Sequence, residues 1–197
     1  GNTSLYAVED PVTFTRIGRT RDDAAGEAFD KVAKLLDLGY PGGPVISRLA
    51  AAGDPAAIAF PRARLGEDSL YFSFSGLKTS VATAVDRLRR SGAPLPKADL
   101  CASFQEAVVE VLVDKTLSAA ERTGHRRVVL GGGVAANPRL RAALGEGAAE
   151  RGLELFLPEP AYCTDNAAMI AVAGYHQFLA GRLLAADDDA YSRSPLN

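Results

Sequence analysis

Gly131, Gly132 and Gly133 stand between the apolar run Val128-Val129-Leu130 and the pair Asn137-Pro138. The run reads as the end of a buried strand and Pro138 as the first turn of a helix, so the glycines join a strand to a helix. Backbone N–H groups at such a junction lack intrahelical partners, and together with the helix dipole they attract anions. With no Cβ atoms, the loop lets a ligand approach the backbone closely. Asn137 as a cap and Pro138 in the first turn suit any helix start. They do not account for three successive glycines, each of which costs conformational entropy on folding; a ligand role does.

Two known loop types can be compared. A P-loop requires G-x-x-x-x-G-K-[ST], and the nearest candidate, Gly76-Leu77-Lys78-Thr79-Ser80, has its lysine one place too late. Gly131, Gly133 and Ala136 satisfy G-x-G-x-x-A, with Glu154 at a distance suited to a ribose-binding acid. In a dinucleotide fold, however, the helix opens inside the glycine motif and the acid ends the next strand. Here the helix starts after the motif, and Glu154 stands early in its strand.

Four further polar groupings lie at element junctions. Glu27, Asp30 and Lys34 share one face of a helix, which taken alone is a solvated face. Gly42-Gly43 within YPGGP could admit a ligand, and taken alone the segment is a helix stop. FSFSGLKT at 72–79 runs from a strand into a helix through Ser75-Gly76, with Lys78 on the first turn. Thr164, Asp165 and Asn166 precede an apolar helix, and a cap explains Thr164 or Asp165 but not the whole triplet.

The elements that must position these groups follow from periodicity and turn chemistry. TSLYAV and VTFTRI around Glu9-Asp10-Pro11 read as a hairpin. Helices are expected over about 20–38, 45–52, 76–90, 98–123, 138–151 and 167–181, with strands at SLYFSF, RRVVL and LELFLP. SGAPLPK is the clearest loop signal. Strands and helices alternate toward the C-terminus, so an α/β sheet with parallel pairing is expected there.

Composition narrows the function classes. The 197 residues are 47% hydrophobic and 23% charged, enough for one good core in a globular chain. Twenty-two basic against 24 acidic side chains give a net charge of −2, so no bulk attraction to nucleic acid or membrane operates. Arg87, Arg89 and Arg90 with Lys97, and Arg126-Arg127 with Arg139 and Arg141, read as solvated faces. Cys101 and Cys163 match no metal or disulfide spacing, which fits a reduced, cytoplasmic setting. No apolar run approaches the ~20 residues of a membrane span. The chain opens GNTSLYAV, without Met, straight into a strand pattern, and is expected to be cut from something longer.

Taken in order, GNTSL, DDAAGEAFDKVAKLLDLGYPGGP, FSFSGLKT, GGGVAANPRLR and CTDNAAM resemble the signature segments of one family. These are the tRNA threonylcarbamoyladenosine transferases, once described as O-sialoglycoprotein endopeptidases. FSFSGLKT resembles the bacterial form, and the resemblance covers essentially the whole chain. It implies an α/β, actin-like ATPase fold related to sugar kinases, with two ribonuclease-H-like lobes and nucleotide between them. Residues 1–18 would be a remnant hairpin of the preceding lobe, and 19–197 the C-terminal lobe. Gly132, Gly133 and Asn137 are implied nucleotide contacts. Asp30 and Gly43 match positions on the ribose and base side, and Gly1 matches the last glycine of the phosphate-side segment. Asp165 matches the carboxylate that binds a divalent metal, iron first and zinc second; a carboxylate suits such a cation.

The resemblance implies transfer of a threonylcarbamoyl group from threonylcarbamoyl-AMP to the adenosine beside the anticodon of tRNA. ATP- or AMP-type nucleotides are alternative ligands. Implied partners are tRNA, a paralogous actin-fold subunit and a small ATPase, with no membrane. The chain departs from the family in one respect. The metal site also takes two histidines from an H-x-x-x-H helix that would precede Gly1, and His125 and His176 do not have that spacing. The chain alone is therefore expected to be inactive. The alternatives are another actin-fold enzyme, a carbamoyltransferase or kinase, or a non-catalytic scaffold paralogue. A metallopeptidase reading lacks a water-activating Glu beside a histidine pair.

Overall fold

The computed structural model describes residues 1–66, 68–183 and 185. From the N-terminus, β1 (Ser4–Asp10) and β2 (Thr13–Arg19) form the expected antiparallel hairpin. Asp10 closes it by accepting the Val12 N–H at 2.8 Å. Then come α1 (Ala25–Leu35), α2 (Gly42–Ala50), α3 (Ser75–Arg90) and α4 (Lys97–Thr123). A second α/β unit follows: β3 (Arg127–Val129), α5 (Pro138–Glu150) and β4 (Glu154–Phe156), ending in α6 (Ala167–Leu179). β3 and β4 pair in parallel with Val128 opposite Leu155, as the alternation of elements requires. The last part of the expected C-terminal lobe, 186–197, lies outside the described residues.

The core gathers around α4. Helix α1 buries Ala25, Ala28, Phe29, Val32 and Ala33, the i, i+3, i+4, i+7, i+8 stripe of an amphipathic helix. Phe29 meets Phe104 of α4 edge-on, with ring centroids 5.1 Å apart. Helices α2 and α5 also pack on α4, which is therefore buried on several sides and carries the polar residues Ser103, Gln105 and Lys115 into the interior. Each is paired. Ser103 Oγ accepts the Ile58 N–H and donates to the Asp54 carbonyl, and Lys115 Nζ donates to the carbonyls of Arg64 and Ser69. Burial pushes the Lys115 ammonium below its ordinary range.

Three expectations are corrected. The first helix starts at residue 25 rather than 20 because the preceding segment is committed elsewhere. The Asp22 carboxylate accepts bonds from the Phe74 and Ser75 N–H groups and from both serine hydroxyls, Ser73 and Ser75. The helix also stops at Leu35, before Asp37 takes a positive φ of 54°. The strand expected at SLYFSF reduces to a single parallel bridge between Thr20 and Phe72, since Asp22 turns the chain into α3 at once. Finally, α2 begins at Gly42 rather than 45, its first N–H being held by Asp30. The expected helix α6 forms, but Met169, Ile170, Phe178 and Leu179 on it are all exposed.

Partial burial opposes ionisation of Asp22, but the hydrogen bonds from Ser73, Ser75 and the two backbone N–H groups outweigh it and hold the carboxyl down at about 2. A depressed carboxylate stabilises the fold above its unfolded value near 3.8 and loses that contribution as pH falls through about 2. Asp22→Asn should lower stability at pH 7 by about 1–2 kcal/mol, a figure discounted for solvent screening. The gap between variant and wild type should shrink as pH falls from 4 toward 2. Urea melts across that range check it; a gap independent of pH would refute the assignment.

Candidate functional site

Helix α1 spaces the site. Gly26 on its first turn faces the glycine loop, where a Cβ at Gly26 would lie 3.6 Å from Val134 Cγ2. Asp30, one turn on and on the same face, accepts the Gly42 N–H through Oδ1 at 2.8 Å. The residues just before β1 are tied to the same end, because the Ala25 N–H donates to Thr3 Oγ1 at 2.9 Å. Glu27 accepts the Ala24 N–H at 3.0 Å and the Gly1 amino group at 2.8 Å. The Glu27/Asp30 pair is thus more than a solvated face: both carboxylates hold backbone N–H groups at helix starts.

The loop itself has the conformation that glycine permits. Gly132 has φ +86°, Gly133–Ala136 make one 3-10 turn, and α5 starts only at Pro138, after the glycines. A Cβ on Gly131, Gly132 or Gly133 would meet nothing within 4 Å, so all three border open space. They line a groove of about 1220 Å³ that also takes in Asn2, Thr3 and Ala25. Arg141 fixes the loop from behind, donating to the carbonyls of Ala135 and Pro158 at 2.9 and 2.8 Å. Arg139 forms a two-bond pair with Glu106. These two arginines, expected on solvated faces, are structural clamps.

Asn137 is nine-tenths buried and uses both ends of its side chain. Oδ1 caps α5 by accepting the Leu140 N–H at 3.0 Å, and Nδ2 donates to Gln105 Oε1 at 2.8 Å. Sequence reasoning found the cap but not Gln105; its one signal was a glutamine among the apolar residues of α4. Gly43 borders open space one residue after the Asp30–Gly42 bond. Along α1 the structure thus places Gly1, through Glu27; Gly43, next to the Asp30–Gly42 bond; and the loop that carries Gly132 and Gly133, opposite Gly26, whereas Asn137 is held against Gln105 of α4.

Asp165 is exposed at the start of α6, and the cap of that helix is Asn166, whose Oδ1 accepts the Met169 N–H at 3.0 Å. This corrects the expectation of Thr164 or Asp165 as the cap: Asn166 stands where its side chain reaches the third N–H of the helix. Among the described residues no group of three His, Cys, Asp or Glu side chains could hold a metal ion. His125 bonds Thr123, and His176 stacks edge-on with Tyr175. A transition-metal site normally takes about three protein ligands, so these residues do not by themselves fit one. Both cysteines are buried and free, and burial pushes the Cys101 thiol up to about 11.

Residues 1–172 match the family model described as TsaD, tRNA N6-adenosine threonylcarbamoyltransferase. The chain belongs to that family. A protein of that name from Anaeromyxobacter sp. (strain Fw109-5) is 56% identical over 193 residues, covering 96% of this chain and 57% of the relative. One from Geobacter sulfurreducens is 57% identical over 183 residues, 92% of this chain and 53% of the relative. One from Desulfotalea psychrophila is 51% identical over 199 residues, 100% of this chain and 58% of the relative. The family member described here thus spans somewhat over half the length of the curated relatives it matches. Among solved structures, the crystal structure of T. kodakarensis HypF is similar in fold, with TM-score 0.57 at 21% identity, covering 88% of this chain and 21% of that one. No helix among the described residues is long and apolar enough to cross a membrane.

Two outcomes test the site. Asn137→Ala removes a cap and leaves Gln105 Oε1 without its donor, so stability should fall by about 1–3 kcal/mol. Asn137→Asp should recover only the part of the loss that comes from the cap, because Asp caps equally well but has no N–H for Gln105 Oε1; denaturant titration of the pair checks this. Elemental analysis of the purified chain should find iron and zinc well below one equivalent. Near-stoichiometric metal that disappears in Asp165→Ala would overturn the reading that one carboxylate is insufficient.

Proposed function

We propose that this chain is the nucleotide-holding part of a transferase that moves the threonylcarbamoyl group from threonylcarbamoyl-AMP to the exocyclic amine of the adenosine beside the anticodon of tRNA. The finer fold reading goes with it: the chain is one lobe of an actin-like ATPase fold. The observation that carries the proposal is the grouping along α1. An open glycine loop at a helix start, a carboxylate one turn away and a second glycine helix start together suit a nucleotide's phosphate and ribose.

The chain's own residues bind and orient. Backbone N–H groups of Gly132 and Gly133 face the phosphate, and the N–H groups at the start of α5 add positive potential there. Asp30, held beside Gly42, presents its second carboxylate oxygen toward ribose hydroxyls. In the transfer the amine nitrogen bonds to the carbamoyl carbon and loses a proton to solvent. The bond from that carbon to the phosphate oxygen breaks, and AMP leaves with the electron pair. Donors fixed beside the departing phosphate favour that step because its charge grows there. Asp165 is proposed as one ligand of a divalent metal completed by residues outside this chain, and no step is derived through it. tRNA, a paralogous subunit and a small ATPase are the proposed partners, in the cytoplasm.

Gly133→Val tests the placement, because Gly133 has no positive φ and open space around it, so the fold should persist. Calorimetry with AMP should show at least a tenfold weaker association in the variant, at unchanged circular dichroism. Equal affinity in the two proteins would remove the glycine loop from the binding site.

A further inference from the structure

Helix α6 is turned the opposite way from an ordinary surface helix. None of its residues is buried, and the two that are partly covered are its histidine and its glutamine, His176 and Gln177. Ala168, Ala171, Val172, Tyr175, Phe178 and Leu179 are all exposed. At 3.6 residues per turn these six fall within an arc of about 120°, on the far side from Gln177. A surface helix normally turns such a stripe to the core and its polar side to water. The helix is nonetheless fixed at both ends. Asn166 caps its start, and just beyond its end Arg182 Nη1 donates to the Val12 carbonyl at 2.7 Å.

The chemistry of the stripe selects its occupant. The 13 residues of α6 include no Asp, Glu, Lys or Arg, so the helix offers no charge for an unlike partner to read and none to repel an identical helix. Ala168, Val172, Tyr175 and Leu179 are spaced by 4, 3 and 4 residues, the spacing at which side chains of one helix fit between those of another. Val172, Tyr175, Phe178 and Leu179 are exposed by 58%, 60%, 63% and 62%. With the two alanines that amounts to on the order of 500 Å² of apolar surface per copy, more than isolated exposed side chains leave on a monomer. Two copies together reach roughly 1,000 Å², the lower bound for a specific interface.

We propose that the exposed stripe of α6 is a self-association surface, on which two copies of this chain pair through their α6 helices about a two-fold axis. The same patch then serves both partners, and the contact closes at two copies. Among the described residues α6 contributes no wall to the groove at the glycine loop, so pairing leaves that groove open and does not depend on the nucleotide reading.

Sedimentation equilibrium over about 1–200 µM, with wild type, Tyr175→Glu and Ile170→Glu, tests this. Tyr175 lies in the middle of the stripe. Ile170 is also exposed but points away from it, so the two variants introduce the same charge on different sides of one helix. Wild type should pass from one to two chain masses with a Kd on the order of micromolar, as an interface of this size allows. Tyr175→Glu should weaken the pairing at least tenfold at unchanged circular dichroism, because each pair would bury two carboxylates, and Ile170→Glu should dimerise like wild type. A single chain mass at 200 µM would overturn the pairing and leave the stripe to the additional length that the relatives carry. Growth past two chain masses, or equal disruption by both variants, would also overturn it.

Discussion

The burial of α4 on several sides at once is the constraint from which the rest of the structure follows. A helix surrounded by α1, α2 and α5 cannot leave a polar side chain unpaired, because an unsatisfied buried donor or acceptor costs about 1–3 kcal/mol. Ser103, Gln105 and Lys115 therefore each capture a piece of surrounding chain. Ser103 draws in the segment at Asp54 and Ile58, and Lys115 the segment at Arg64 and Ser69. Gln105 draws in Asn137, and with it the end of the glycine loop. Three irregular stretches that carry little secondary structure of their own take their positions from one helix.

Helix α1 then converts those positions into a site. Its pitch sets Gly26 and Asp30 one turn apart, and each faces a different helix start, that of the loop before α5 and that of α2. Gly26 has no side chain to hold Val134 away, and at Gly42 a Cβ would lie 2.6 Å from the Phe29 carbonyl oxygen, so only glycine lets α2 come this close. What the arrangement presents to a ligand is mostly backbone N–H and two short polar side chains.

The sequence by itself determined the hairpin, the long helix α4, the β3–α5–β4 unit with its parallel pairing, and the strand-to-helix position of the glycine loop. Each rests on local signals, apolar periodicity, Pro and Gly punctuation and a capping Asn, that hold wherever the segment sits. The ordered segments that carry the family resemblance were legible for the same reason. Only the tertiary structure decided the use of the charged and polar side chains. Asp22 holds α3's start instead of extending α1, Arg139 and Arg141 clamp rather than face water, and Gln105 pairs with Asn137. A side chain's hydrogen-bond partner is set by what lies across from it in space, often 30 or more residues away in sequence, and neither periodicity nor propensity encodes that distance.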